Sequence, residues 1–117
     1  MTISADDPDP AREDAARDGK NETPSGAPVL ARSVTIRNRR GLHARAAARF
    51  VTLAERFGAS VEVVKNDQAV SARSIMGLMM LGAGIGASLE LRAEGWDAKE
   101  ALDALAALIE AGFDEQD

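Results

Sequence analysis

The spacing of hydrophobic side chains along the chain predicts seven secondary-structure elements. Hydrophobic and polar residues alternate in four short segments, as expected for strands with one buried face. In three other segments hydrophobic residues recur every three or four positions, as expected for amphipathic helices. The strands are predicted at 32–37, Ser60–Lys65, Gln68–Ser71 and 88–92, and the helices at 44–57, 75–81 and from Asp97 to near Gly112. The order βαββαβα favours an α+β fold, in which helices cover one face of a mainly antiparallel sheet.

Residues that typically begin or end helices mark several of these boundaries. Ser74 directly precedes a hydrophobic run, as an N-cap does. Asp97, with Glu100 three residues later, has the spacing of a capping box, and Trp96 just before it is expected to pack as an anchor. Gly58 is expected to end the first helix.

The first 28 residues differ in composition from the rest of the chain. They contain seven acidic and three basic side chains, all four prolines, and almost no large hydrophobic residue. Such a segment buries too little apolar surface to offset the entropy lost on ordering it. We therefore expect a disordered acidic leader at 1–28, which could be a plain solubilising extension, and one folded domain at 29–117.

The composition excludes several classes of protein. The chain of 117 residues has no cysteine and one histidine, so disulfides, cysteine nucleophiles and multi-histidine metal sites are excluded. We expect neither a metal nor another cofactor. No hydrophobic run approaches the roughly 18 residues of a membrane span, and no signal peptide is evident. These features predict a cytoplasmic protein that does not bind membranes.

Basic residues are concentrated early in the domain, where six arginines precede the first acidic residue, Glu55. They could form a solvated face, a nucleic-acid patch or a smaller anion site. Only 3% of the residues are aromatic, and acids and bases nearly balance over 29–117, which argues against nucleic-acid binding. An anion site of limited extent fits better.

His43 lies where the first predicted strand leads into the first helix, and no capping side chain stands directly before Ala44. The first N–H groups of that helix are left for water or a ligand, and the helix dipole favours an anion there. Arg45 lies in the first turn, and Gly41 permits a close backbone approach. A neutral imidazole at this place could attack phosphorus, with the N–H groups and an arginine stabilising the phosphoryl group. On these residues alone, His43 could equally be a helix-start residue without chemistry.

Two segments resemble motifs of one known family. Gly-Leu-His-Ala-Arg-Ala-Ala at 41–47 resembles the phosphorylation-site motif of HPr, the histidine phosphocarrier of the bacterial phosphoenolpyruvate-dependent phosphotransferase system. Ser-Ile-Met-Gly-Leu-Met-Met-Leu-Gly at 74–82 resembles the regulatory serine site and short second helix of that family. The resemblance covers about 32–112 and implies an HPr-like open-faced β-sandwich, whose four strands are covered on one face by three helices.

The resemblance also implies a function and partners. It implies a phosphoryl carrier, not an enzyme, that accepts a phosphoryl group on Nδ1 of His43 from phospho-enzyme I and passes it to a IIA-type protein, with Arg45 assisting. In some bacteria a dedicated HPr kinase/phosphorylase modifies the serine that corresponds to Ser74. A monomer is expected. Where the family motif usually has proline this chain has Ala46, which together with the leader suggests a divergent branch, such as the nitrogen-related regulatory one.

The predicted second helix is almost entirely apolar, and a two-turn helix cannot bury every side. Methionine is adaptable and suits a surface that binds several partners in turn. The alternative is a helix that is wholly buried. The predicted partner surface contains Ala44, Ala48, Ile75, Met76 and Met79.

Two other functions remain open at this point. The first is a regulatory binding module controlled through Ser74, in which His43 has no carrier activity. The second is a small-ligand-binding α+β domain, for which the sequence contains no pocket motif.

Overall fold

The computed structural model describes residues 28–115 and confirms the predicted order of elements. The elements are β1 (Leu30–Thr35), α1 (Ala44–Ala54), β2 (Ser60–Lys65), β3 (Gln68–Ser71), α2 (Ile75–Met80), β4 (Ser88–Glu94) and α3 (Ala98–Glu110). A 3-10 turn at Gly112–Asp114 follows α3. All but the last residue of the predicted leader at 1–28 lies outside the described residues.

The four strands form one sheet in the order β1-β4-β2-β3, with every neighbouring pair antiparallel. Val34 of β1 lies opposite Leu89 of β4, and Val63 of β2 lies opposite Leu91. These four side chains are buried, whereas alternate strand residues face outward. The helices cover the buried face, so the predicted open-faced arrangement is confirmed. The largest wholly buried side chains include Phe50, Ile36, Leu78, Leu105, Ile109 and Phe113.

Between residues 28 and 115, no helix has both the length and the apolar character needed to cross a membrane.

Strand pairing moves some boundaries from their predicted places. β1 begins at Leu30 because this residue pairs with Ala93, and β4 continues to Glu94 because this residue pairs with Ser60. α1 ends at Ala54, three residues earlier than predicted, since the N–H groups of Arg56 and Phe57 bond to carbonyls only three residues back. The C-cap of α1 is therefore Glu55, and the prediction of a cap at Gly58 was wrong.

The predicted capping box at the start of α3 was wrong. Asp97 is the N-cap residue, but its side chain makes no capping hydrogen bond. Its buried carboxylate instead accepts from the N–H groups of Gly58 at 2.9 Å and Ala59 at 2.8 Å. Asp97 thus joins the turn after α1 to the start of α3. Trp96 is 88% exposed, so the prediction of a packed anchor was also wrong.

Asp97→Ala is expected to lower the free energy of unfolding by about 2–4 kcal/mol, because two N–H groups lose a charged acceptor. Glu100→Ala is the matched control, since a true capping box would make both residues matter. The exposed Glu100 should contribute less than about 1 kcal/mol through the helix dipole. Urea unfolding followed by circular dichroism measures both. If both variants lost the same free energy of unfolding, the capping box would be supported after all.

Candidate functional site

His43 is the N-cap residue of α1, with φ −75° and ψ 177°, and its side chain makes no capping hydrogen bond. The first backbone hydrogen bond of the helix runs from the N–H of Ala47 to the His43 carbonyl at 2.8 Å. The first turn contains no acidic residue. The predicted uncapped helix start is therefore confirmed, and the first N–H groups of α1 have no acceptor within the helix.

The loop before His43 is held against the loop after α2. Gly41 has φ +64°, and the next N–H, that of Leu42, donates to the Ala83 carbonyl at 3.0 Å. A Cβ atom on Gly41 would lie 2.2 Å from that carbonyl oxygen and 2.8 Å from Cα of Gly84. Only glycine fits, so this backbone approach fixes where α1 begins and where His43 lies.

The chain after α3 turns back toward His43, which the sequence did not predict. Gly112, Phe113 and Asp114 have φ values of 65°, 56° and 59°, and this left-handed turn carries Glu115 to the histidine. One carboxylate oxygen of Glu115 contacts Nε2 of His43. Only 15% of the His43 side chain and 13% of the Glu115 side chain are exposed, so water weakens the electrostatic attraction between them little.

Asn38 connects the glutamate to the loop before His43. It is 1% exposed, and its Nδ2 donates to the Gly41 carbonyl at 2.9 Å and to the Glu115 carboxylate at 3.0 Å. Both partners are oxygens that accept, so the orientation of the amide is fixed by its contacts. The Asn38 hydrogen bond, with a further contribution from His43, lowers the pKa of the Glu115 carboxyl. Glu115 is therefore ionised at neutral pH.

Arg45 lies in the first turn of α1 as predicted, and it is exposed. It lines a groove that also contains Ala48, Arg49 and Asp114. Within residues 28–115 its guanidinium has no hydrogen bond or ion pair, whereas that of Arg49 donates to the Phe113 carbonyl. The Arg45 side chain is thus close to the helix start and available to an anion.

Ser74 and α2 agree with their predicted roles in the fold. Oγ of Ser74 accepts from the N–H of Gly77 at 2.9 Å, which confirms the N-cap. Leu78 is wholly buried, but Met76 is 69% exposed and Met80 is 75% exposed. The alternative of a wholly buried helix is excluded. The exposed large hydrophobic residues of this region are Ile75, Met76, Met79, Met80 and Ile85, of which Met80 and Ile85 were not among the predicted site residues.

The predicted residues lie on neighbouring elements. α1 packs against α2, and the hydrogen bond from Leu42 to Ala83 joins the loops that flank them. Ala44 is exposed and Ala48 is half-buried on α1. Ser74 lies at the opposite end of α2 from this connection, about 9 Å along the helix at 1.5 Å per residue. The start of α1 therefore lies beside the end of α2.

Comparisons with known proteins identify the family. The family model described as "PTS HPr component phosphorylation site" matches residues 30–111. The chain is 48% identical over 86 residues to phosphocarrier protein NPr of Shewanella violacea, covering 74% of this chain and 94% of the relative. It is 49% identical over 87 residues to phosphocarrier protein HPr of Cupriavidus necator, covering 74% and 98%.

A solved structure gives the same result. The crystal structure of HPr-C-His from Thermoanaerobacter tengcongensis matches with a TM-score of 0.71 and 45% identity, covering 74% of this chain and 98% of that one. Residues 30–111 contain both sequence motifs and all three α-helices of the described structure. The fold, the family match and the relatives agree, and the chain belongs to the HPr family of phosphocarrier proteins of the phosphotransferase system.

Proposed function

We propose that this chain carries a phosphoryl group on His43, which it accepts from phospho-enzyme I and passes to a IIA-type protein. The single observation that carries the proposal is the position of the one histidine, at an uncapped helix start inside a family motif. A phosphoryl group on this ring would sit beside N–H groups that have no acceptor in the helix. Family membership supports the carrier role in general, and the donor and acceptor are our inference.

The side chains around His43 suit phosphoryl transfer. Arg45 can pair with two phosphoryl oxygens at once, because the guanidinium presents a fork of donors. The helix dipole favours the same negative charge. These groups stabilise the phosphoryl group by geometry and charge, so the transfer that we propose requires no cofactor. The protein takes up and releases one phosphoryl group per cycle and is a carrier, not an enzyme.

A carrier must bind its donor and its acceptor in turn through one surface. We propose that this surface consists of Ala44, Ala48, Ile75, Met76 and Met79. The exposure of the α2 side chains supports this, since a contiguous exposed apolar patch is typical of a binding site. Methionine side chains can adapt to both partners. The proposal places the chain in the cytoplasm as a monomer.

The test uses the full-length protein, purified enzyme I and phosphoenolpyruvate. We expect an acid-labile, base-stable phosphoryl adduct that fragmentation by mass spectrometry locates on His43. Adding a IIA-type protein should then remove it. If no adduct forms, the carrier function is rejected. A protein that gains no adduct but changes its partner binding with the state of Ser74 would instead be the regulatory binding module.

Ser74 provides the second part of the proposal, in which phosphorylation at this residue weakens the binding of enzyme I. Ser74→Asp should raise the concentration of this protein needed for half-maximal phosphorylation by about 5- to 30-fold, because a charge on the rim of an interface costs roughly 1–2 kcal/mol. Ser74→Ala should lose about 1 kcal/mol of stability with the N-cap but still accept phosphate.

Ser88→Asp is the matched control for Ser74→Asp. Ser88 is an exposed residue of β4 beside Ser33 and Glu90, on the sheet face away from the helices. The same charge there should leave phosphorylation by enzyme I unchanged. Steady-state transfer at moderate salt measures all three variants, with circular dichroism to verify folding. If folded Ser74→Asp is phosphorylated as readily as Ser88→Asp, Ser74 is only a helix cap.

A further inference from the structure

The contact between Glu115 and His43 joins two residues that are 72 positions apart in the chain. Both oxygens of the carboxylate are engaged, one by Nε2 of His43 and the other by Nδ2 of Asn38 at 3.0 Å. An exposed ion pair contributes little and leaves its side chains free to move. Here both side chains are largely buried, so the contact fixes the orientation of the imidazole ring.

The protonation of this contact follows from its chemistry. The carboxylate of Glu115 is ionised and can only accept, so the proton between the two residues must be on Nε2 of His43. A neutral imidazole has one N–H group, and the other nitrogen keeps its lone pair. Nδ1 is therefore the nitrogen that is free to act as a nucleophile.

We propose that Glu115 is a positioning residue, which holds His43 in the tautomer that leaves Nδ1 free to accept a phosphoryl group. This inference rests on the proposed function, in which His43 is the phosphoryl acceptor. It assigns a role to a side chain near the chain end, outside both sequence motifs and outside the segment that the family model matches. A carboxylate that orients a reacting imidazole in this way is well known from proteases with a Ser-His-Asp triad.

The same contact serves both directions of transfer. In the forward step the Nδ1 lone pair forms a bond to phosphorus, while the bond from phosphorus to the donor breaks and its electron pair stays with the donor. The proton remains on Nε2, so the ring gains one positive charge, which faces the Glu115 carboxylate. In the reverse step the Nδ1–phosphorus bond breaks and its electrons return to the ring. With Nε2 protonated, the leaving group is neutral imidazole and not the far more basic imidazolate anion.

The backbone around Glu115 indicates that its position is specified by the fold. Phe113 has a positive φ, which most side chains other than glycine adopt at a cost of about 1–2 kcal/mol, and Asp114, of a residue type that tolerates this conformation better, has one too. Such residues persist only where the surrounding structure holds them. Phe113 is wholly buried, and its carbonyl accepts from the guanidinium of Arg49. These contacts direct Glu115 toward His43.

Nuclear magnetic resonance tests the inference directly, because the only histidine of the chain gives one set of ring signals. Two-bond correlations in ¹⁵N-labelled protein distinguish the two tautomers, and we expect the Nε2–H form to dominate. Glu115→Gln keeps the size and can still accept from Asn38, but its amide can also donate to Nε2. The Nδ1–H form should then become a major species, and phosphorylation by enzyme I should slow by about tenfold or more.

Glu110→Gln is the matched control, since it makes the same chemical change at an exposed residue of α3. Its tautomer and its rate of phosphorylation should equal those of the wild type. If folded Glu115→Gln keeps the wild-type tautomer, or changes tautomer while its phosphorylation rate stays at the wild-type value, the positioning role is rejected. If the wild type itself acquires no phosphoryl group on His43, the proposed carrier function is rejected. That result is distinct from both results for Glu115→Gln, which reject only the positioning role.

Discussion

His43→Ala is expected to abolish phosphoenolpyruvate-dependent labelling completely. His43 is the only imidazole of the chain, so no second ring can take over the nucleophilic nitrogen. The substitution should leave the fold intact, because the core is built from other residues and the His43 side chain makes no capping hydrogen bond that alanine would remove. Labelling with radioactive phosphate, followed by acid and base treatment, measures the loss, and circular dichroism verifies folding.

Ser74→Ala is the matched control for this experiment, because it removes the other proposed phosphorylation site. Phosphoserine survives acid, whereas phosphohistidine does not, so the two sites differ in the chemistry of their label. Ser74→Ala should retain the acid-labile label that His43→Ala lacks. Acid-labile label that persists in His43→Ala would place the phosphoryl group on another residue and reject the carrier mechanism.

Gly41→Ala is expected to lower both stability and phosphoryl transfer. The new Cβ would lie 2.2 Å from the Ala83 carbonyl oxygen, so the backbone must move, and the φ of +64° is itself unfavourable for alanine. Together these effects should cost at least about 3 kcal/mol, or roughly 12 °C in the midpoint of thermal unfolding. Because Leu42 donates to the same carbonyl, His43 would move with the loop, and transfer should slow in the molecules that remain folded.

Two glycines of the facing loop separate the causes of this loss. Gly82 has φ +65°, but a Cβ atom there would have no neighbour within 4 Å, so Gly82→Ala should show the backbone strain alone. Gly84 has neither a positive φ nor a neighbour within that distance, so Gly84→Ala should be nearly neutral. Thermal unfolding and transfer rates of the three variants give the comparison. If Gly41→Ala is no worse than Gly82→Ala, close contact with Ala83 does not position His43.

The sequence could predict the elements whose signals are local. Alternation identified β2 and β3 with their observed bounds, because neighbouring side chains point to opposite faces of a strand. The N-cap at Ser74 and the uncapped start at His43 depend only on residues within one turn of each helix. The family motifs are equally local, which is why the predicted site residues could be named before the fold was known.

Contacts between distant segments could not be predicted in this way. Asp97 had the spacing of a capping box, but its carboxylate bonds to N–H groups 38 and 39 residues away. Glu115 reaches His43 only because Phe113 and Asp114 adopt a left-handed conformation, which is unusual for phenylalanine. No hydrophobic periodicity and no sequence motif predicts such a turn. The only local signal was Gly112, which indicated where α3 ends but not where the chain goes next.

The contacts of the His43 loop also have a consequence for synthesis on the ribosome. His43 is made before Ala83, whose carbonyl holds the loop, and 72 residues before Glu115, which contacts the ring. β1 likewise cannot pair until β4 has been synthesised. Closing such long loops is the slow part of folding. A chain that terminates just after α3 would therefore carry the complete phosphorylation motif and still lack the finished site, because translation has to reach Glu115 before the histidine is held.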